Sequence, residues 1–419
     1  MKHWNKVLSA LLIPVLLLSL AVPALAADVQ RSGQKLSVDG VEIDCEKYNI
    51  DGSNYFKLRD LAALLSGTGS AFAVGWDAER GTVSITTGQD YTKVGGELEV
   101  GADNSASAQV SAQTVVIDGK IVESLSAYNI GGNNYFKLRD LGEALGFAVY
   151  YDADANTAIV WSIVPEAREA YAAGDAAYVA EDYAAAFEQC RRAAELGYAE
   201  AQTELGYFYF YGDSVEQDYA AAVEWFRKAA EQGEPDAQSN MGYCYYNGLG
   251  VEQDHAAAVR WYRRGALQGH AVSQSALGIC YRYGTGVEQD YAAAVEWLAK
   301  AAEQDEPSAQ YVLGSCYYYG TGVKQDYAAA VEWYRKAAEQ GHAVSQSALG
   351  VCYLYGDVVE QDYLTAVEWF LKAAEQKEPY AQYYLGVCYE YGLGLPVDPE
   401  AAQVWYGFAA EQGVTGIDE

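Results

Sequence analysis

The sequence predicts a multidomain molecule: a small α+β module in two copies, followed by an all-α right-handed solenoid of helix-turn-helix repeats. Three observations carry that expectation. From Ala201 onward a unit of thirty-six residues recurs without insertion or deletion. A block running from Tyr48 to Leu61 returns eighty residues later, from Tyr128 to Leu141. A chain of 419 residues is also too long for a single core and divides into domains of ordinary size.

Residues 1–26 read as an export signal. Lys2 and Lys6 form a positive start, Val7 to Leu20 is largely apolar with Pro14 inside it, and Ala24-Leu25-Ala26 offers the small-x-small cleavage pattern. The apolar stretch falls short of the roughly 20 residues that span a bilayer. No Cys stands near the cleavage point to carry a lipid. The expected mature protein is secreted, extracellular or associated with the cell envelope, with no transmembrane anchor. The formal charge of −31 becomes −33 once Lys2 and Lys6 are lost. So acidic a chain, with no basic patch, repels phosphate backbones, so nucleic acid is excluded as a partner.

Residues 27–163 form the module, with copies at about 35–90 and 114–163 and a linker over 91–113. Each copy reads as strand, tight polar turn, strand and short helix. Leu58, Leu61 and Leu65 mark the helix in one copy, Leu138, Leu141 and Leu145 in the other. Further strands are expected at Phe72–Trp76, Thr82–Thr86, Phe147–Tyr151 and Thr157–Trp161. Gly101 to Gln113 is rich in Gly, Ala, Ser and Gln and reads as a tether. One copy alone is marginal for an independent core, so the two are expected to pack together.

Asp182 lies one repeat step before the aspartates of the array and reveals a degenerate capping unit over residues 165–200. Six full units follow over 201–416. Their markers are Gly206, Gly242, Gly278, Gly314, Gly350 and Gly386, then Trp225, Trp261, Trp297, Trp333, Trp369 and Trp405. Asp218 and its equivalents stand where a carboxylate caps the second helix of each unit. Ala222, Trp225, Phe226 and Ala229 form one apolar stripe, ended by Gly233. In this reading each tryptophan fills the gap between helices. One unit cannot bury that stripe, so neighbours must stack.

Seven cysteines in an exported chain ordinarily suggest disulfides. Here Cys244, Cys280, Cys316, Cys352 and Cys388 recur once per repeat. Equivalent positions lie about 8–10 Å apart, beyond the roughly 7 Å a disulfide spans. They read as small apolar core residues; Cys45 and Cys190 have no evident partner.

The pattern Leu-Gly-x-x-Tyr-x-x-Gly-x-Gly-Val, then Asp, then Ala-x-x-Trp and Ala-Ala-x-x-Gly, resembles the Sel-1-like repeat, a relative of the tetratricopeptide repeat. Ser214 and Val358 depart from it at the second loop glycine, where another turn is expected. The resemblance implies an adaptor that holds proteins together. The Asn-Tyr-Phe-Lys-Leu-Arg-Asp-Leu block, with Trp76-Asp77 or Tyr151-Asp152, resembles the N-terminal stalk domain of copper amine oxidases. That resemblance implies spacing or attachment, because the family's catalytic domain has no counterpart here. Neither copper nor any other cofactor is expected.

No motif supports catalysis. His255, His270 and His342 are isolated, and HExxH, CxxC and GxSxG are absent. Ser32 and Lys35 stand at SxxK spacing in what reads as an N-terminal tail, not a helix. Asp152-Ala-Asp154-Ala-Asn156 imitates a calcium loop but has Thr157 and Ile163 where Gly and Glu belong, and reads as a β-turn. No metal site is expected.

The chain holds 37 tyrosines, concentrated in the first helix of each unit. Tyr209, Tyr245, Tyr281, Tyr317, Tyr353 and Tyr389 keep one position and read as core. Others fall where tetratricopeptide-like solenoids face a concave groove: Tyr207, Tyr243, Tyr311 and Tyr383; Tyr246 and Tyr318 with Arg282; and Tyr211, Tyr283, Tyr319, Tyr355 and Tyr391. Taken singly, each also fits packing against the next repeat. As rows they favour a binding groove for protein or peptide. The leading expectation is an exported non-catalytic adaptor. One alternative has the stalk copies gripping cell-wall polymer with the solenoid as spacer. Another is a weak β-lactam hydrolase by distant analogy with cysteine-rich members of the repeat family, whose cysteines are paired differently.

Overall fold

A computed structural model describes residues 29–51, 53–77, 82–93, 98, 108–111, 114–117, 120–122, 125, 127–130, 133–152, 156–356 and 359–416. The export signal, Val358, Asp154 and most of the expected linker lie outside these residues.

The module runs β1 (Val29–Arg31), β2 (Lys35–Val38), β3 (Val41–Ile43), β4 (Lys47–Ile50), β5 (Ser53–Lys57), α1 (Leu58–Leu65), β6 (Phe72–Asp77) and β7 (Thr82–Thr87). The second copy repeats this order as β8 (Gln109–Val110), β9 (Thr114–Ile117), β10 (Lys120–Ile121), β11 (Ala127–Ile130), β12 (Asn133–Lys137), α2 (Leu138–Leu145), β13 (Ala148–Asp152) and β14 (Thr157–Trp161). The central sheet has the order β1-β4-β5-β12-β11-β8, joined where Phe56 of one copy pairs with Phe136 of the other. Two outer sheets, β3-β2-β14-β13 and β10-β9-β7-β6, are built by exchange. The opening hairpin of each copy pairs in parallel with the closing strand of its twin. Neither copy is therefore a domain by itself, and one core runs through both, from Leu36 and Leu61 to Leu141 and Val160.

The β2–β3 hairpin follows from an Asp-Gly pair in the sequence. Asp39 and Gly40 both take positive φ, 48° and 80°, the type I′ geometry that Asp-Gly favours between twisted strands. It also corrects the placing of Ser32 and Lys35 in a tail. Ser32 donates to Asn54 Oδ1 and Lys35 lies in β2, paired with Glu42. The expected tether is corrected as well. Tyr91 enters the shared core, Leu98 N–H donates to the buried carboxylate of Asp60, and β8 edges the central sheet.

The degenerate unit is a true helix pair, α3 (Pro165–Val179) and α4 (Tyr183–Glu195). Six pairs follow: α5 (Ala199–Tyr211) with α6 (Tyr219–Gln232), α7 (Pro235–Asn247) with α8 (His255–Leu267), and α9 (Ala271–Tyr283) with α10 (Tyr291–Ala302). Then come α11 (Pro307–Tyr319) with α12 (Tyr327–Glu339), α13 (Ala343–Tyr355) with α14 (Tyr363–Glu375), and α15 (Pro379–Tyr391) with α16 (Pro399–Glu411). Asp218, Asp254, Asp290, Asp326, Asp362 and Asp398 each cap a second helix through backbone N–H groups. First helices end on left-handed glycines such as Gly284 at φ 69°. Ser214 keeps the left-handed turn at φ 63° that glycine holds in its equivalents, so no new turn forms there.

The tryptophans do not fill the gap inside a unit. The residue after each one does. Phe226, Tyr262, Leu298, Tyr334, Phe370 and Tyr406 lie against the marker glycines of the preceding helix, where a Cβ would come within 2.4–2.8 Å of the side chain. Each tryptophan is half-buried and packs against the core one step earlier, as Trp333 does on the cluster of Leu298 and Leu313. In the first five units a cation lies over the ring, such as Lys336 Nζ at 4.1 Å from that of Trp333, whereas Trp405 meets Phe408 edge-on. All seven cysteines are buried free thiols, in agreement with the core assignment of the five repeat cysteines.

A glutamine ladder runs the length of the solenoid. Gln340 Nε2 donates to Gln310 Oε1 at 2.9 Å, and Gln310 Nε2 donates to the Ala302 carbonyl of the previous unit. The same within-unit pair recurs at Gln232–Gln202, Gln268–Gln238, Gln304–Gln274, Gln376–Gln346 and Gln412–Gln382. The module docks on this array. Tyr150 is buried in the α6–α7 cluster, with its hydroxyl donating to Glu200, and Trp161 Nε1–H donates to the Gln232 carbonyl.

Candidate interaction face

The first helices of successive units touch one another, α7 with α9, α9 with α11 and α13 with α15, and no two second helices meet as closely. The first helices therefore form the inner side of the curve. The last residue before the glycine stop falls on that side in each of the first helices. Tyr211, Tyr283, Tyr319, Tyr355 and Tyr391 are 52–69% exposed there, joined by Tyr243 at 50%.

The other residues expected in the groove are half-buried packing side chains. Tyr246 lies against His255, Tyr311 between Tyr334 and His342, Tyr318 edge-on to Tyr319 and Tyr327, and Tyr383 against Tyr384 and Tyr406. Arg282 lies over the Tyr283 ring and donates to the Val312 carbonyl. Tyr207 accepts a hydrogen bond from Asn240 at 2.8 Å. The ring contacts lie within one helix pair, whereas Arg282 and Tyr207 reach the first helix of the next unit. The fixed-position tyrosines behave as expected: Tyr281 and Tyr317 are partly buried and bridge successive clusters.

Two cavities open on this face. The larger, about 540 Å³, lies at the start of the array and is lined by Tyr171, Tyr178, Tyr207 and Tyr211 with Asp175, Glu204 and Asp213. No cationic side chain lines it. Desolvation and the charge of Asp175 push the Glu204 carboxyl up, and desolvation pushes the Tyr207 hydroxyl up to about 12. The wall therefore combines aromatic faces with carboxylates that lack counter-charge, the chemistry that holds an ammonium or guanidinium group. Sequence reasoning missed Tyr171 and Asp175, although they lie one thirty-six-residue step before Tyr207 and Tyr211. The smaller cavity, about 170 Å³, gathers Tyr311, Tyr318, Tyr319 and Tyr355 around Ser315 and Val351.

The sequence profile of the Sel1 repeat matches six consecutive segments, 199–234, 235–270, 271–306, 307–342, 343–378 and 379–414, just over half of the chain. The chain belongs to the Sel1 repeat family. The Sel1 units start at the first residue of each leading helix, two residues earlier than the boundaries read from the marker spacing.

Among solved structures, a Sel1 repeat protein from Oxalobacter formigenes is 32% identical, with a TM-score of 0.53 over 57% of this chain and 96% of that one. A protective antigen present in uropathogenic Escherichia coli strains, displaying an SLR fold, is 42% identical with a TM-score of 0.48 over 54% of this chain. The chain spans about half the length of that antigen, 49%. A search of curated proteins returns no match.

Proposed function

We propose that this protein is an exported adaptor that binds a protein or peptide segment on the inner face of its Sel1 solenoid. Sel1 repeats as a class are protein-interaction scaffolds. The observation that carries the reading is the exposed tyrosine row, repeated at one position in five of six units beside the tyrosine–carboxylate cavity. Tyrosine offers large contact area at low entropic cost. The carboxylate rim and the formal charge of −31 favour a segment bearing Lys or Arg. Export rests on residues 1–26, and N-terminal sequencing of the secreted protein tests cleavage after Ala26. The N-terminal module resembles a stalk through its own residues alone, since the family match begins at residue 199.

A non-catalytic role is supported by the thiols. Burial pushes Cys190 and Cys244 up to about 12 and Cys280 and Cys388 up to about 11, so none of the four is a thiolate at neutral pH.

A photo-crosslinker at Tyr319 tests the binding face, with one at Lys336 on the second helix as control. Adducts from 319 only are expected in the producing cell. The triple change Tyr283→Ala, Tyr355→Ala and Tyr391→Ala should weaken them at least about tenfold, roughly 1.4 kcal/mol, with melting unchanged. Equal adducts from both positions would remove the inner face as the binding surface.

A further inference from the structure

The twin copies of the module differ at one symmetric contact. In the first copy, the Arg59 guanidinium donates to Asn133 Oδ1 at 2.8 Å, locking its helix to the first residue of β12. Eighty residues on, the same contact is assigned to Arg139 and Ser53. The serine hydroxyl stands one bond nearer its backbone than asparagine Oδ1, and no hydrogen bond joins Ser53 to Arg139. Arg139 is exposed and has no hydrogen-bond or ion-pair partner among the described residues.

Beside this open pair lies a cleft of about 720 Å³, walled by β1, β5, the start of α2, residues of β13 and β14 with Asn156 and, from the solenoid, Leu267 and Gln268. In a chain of formal charge −31, the described residues that line it include Arg31, Lys137 and Arg139 and, among those described residues, no carboxylate. Lys137 lies 3.7 Å from Asp140, so the two arginines are the undivided charges. Arg31 Nη2 is buried without a hydrogen-bond partner. The rest of the wall is mainly amide and hydroxyl, among them Gln34, Asn54, Ser32 and Asn156, with Tyr151 and the base of the buried Tyr150.

We propose that this cleft binds an acidic oligosaccharide, its carboxylate held by Arg139 and Arg31 and its hydroxyls met by the surrounding amides. A guanidinium fork matches a carboxylate in two parallel hydrogen bonds. Side-chain amides donate and accept at once, as vicinal hydroxyls require. The volume lies in the range of about 300–1,000 Å³ that holds small ligands. A bare anion would leave the amide wall unused, and a neutral sugar would leave both arginines unpaired. Because Gln268 belongs to the solenoid, an occupant also spans the joint between the two parts.

Titration calorimetry on the full chain tests this, with trigalacturonate and a chondroitin tetrasaccharide as uronate probes. Maltotriose and inorganic phosphate serve as the neutral and bare-anion controls. At least one uronate probe should bind, more weakly as salt rises, with maltotriose and phosphate at least about tenfold weaker. Arg139→Ala should lose about tenfold in affinity. Ser53→Asn installs the residue of the twin copy, gives Arg139 a partner, and should lose affinity to a similar degree while melting is unchanged or raised. That variant keeps every cation, so the test stands even where Arg139→Ala fails to fold. Binding by neither uronate, equal binding of maltotriose or phosphate, or wild-type affinity in Ser53→Asn would each overturn the proposal.

Discussion

Tyr334 and Gly314 show why a repeat keeps a bare Cα at one position. The Tyr334 ring is 5% exposed, and a Cβ at Gly314 would stand 2.8 Å from it. Backbone freedom is not the reason, since Gly314 is helical and has no positive φ. Gly314→Ala should therefore destabilise by overpacking, by about 1–3 kcal/mol, even though alanine is the better helix former. Urea denaturation checks it; a stabilised variant would show that the ring moves aside. Glu234 makes a second residue-scale case. It caps α7 while 5% exposed, and burial pushes its carboxyl up to about 7. A raised folded pKa means that folding favours the protonated form. The contribution is fully present below about pH 4.5 and is lost as pH rises through about 7. The stability of wild type relative to Glu234→Gln should thus be greater at pH 5 than at pH 8. A flat difference would place the carboxyl in ordinary solvent.

Each helix pair is held by polar contacts as well as by its apolar stripe. Gln310 is fully buried, accepts from Gln340 in its own unit and donates to Ala302 in the unit before. One side chain thus closes the helix pair and fastens it to its neighbour, in surroundings where an unmet amide or carbonyl costs about 1–3 kcal/mol. Gln310→Ala should cost about 2–3 kcal/mol. Gln325→Ala, which removes an exposed loop bond to the Tyr318 carbonyl, should cost under about 1. Matched chemical denaturation of the two variants decides whether burial of the ladder sets its worth.

The module and solenoid meet at Gly233. The glycines that follow second helices share positive φ, yet a Cβ at Gly197, Gly269, Gly341 or Gly413 meets nothing, whereas one at Gly233 would stand 2.5 Å from Tyr150 Cβ. Gly233→Ala and Gly269→Ala both carry the backbone strain, about 1–2 kcal/mol. Only the first blocks docking. Limited proteolysis should cut between Trp161 and Pro165 faster in Gly233→Ala than in Gly269→Ala. Equal rates would mean that the joint does not depend on this contact.

The solenoid was legible because its constraint is local and repeated: Gly314, Trp333 and Asp326 recur at a fixed step, and each does the same work in every unit. The start of the tyrosine cavity was legible too, had the step been carried back from Tyr207 to Tyr171. Periodicity could not say which neighbours face solvent. Tyr318 and Tyr319 are adjacent in sequence, yet one packs between helices and the other stands 69% exposed, because burial depends on how far the next unit turns. Nor could a repeat of eighty residues reveal that the copies exchange hairpins, since β2 ends at Val38, its partner β14 begins only at Thr157, and either pairing satisfies the same alternation. By itself the sequence determined the units, their caps and their register. Tertiary packing alone decided which tyrosines form a surface and which arginine is left without its twin's partner, because both depend on the distance between segments that the chain does not hold together.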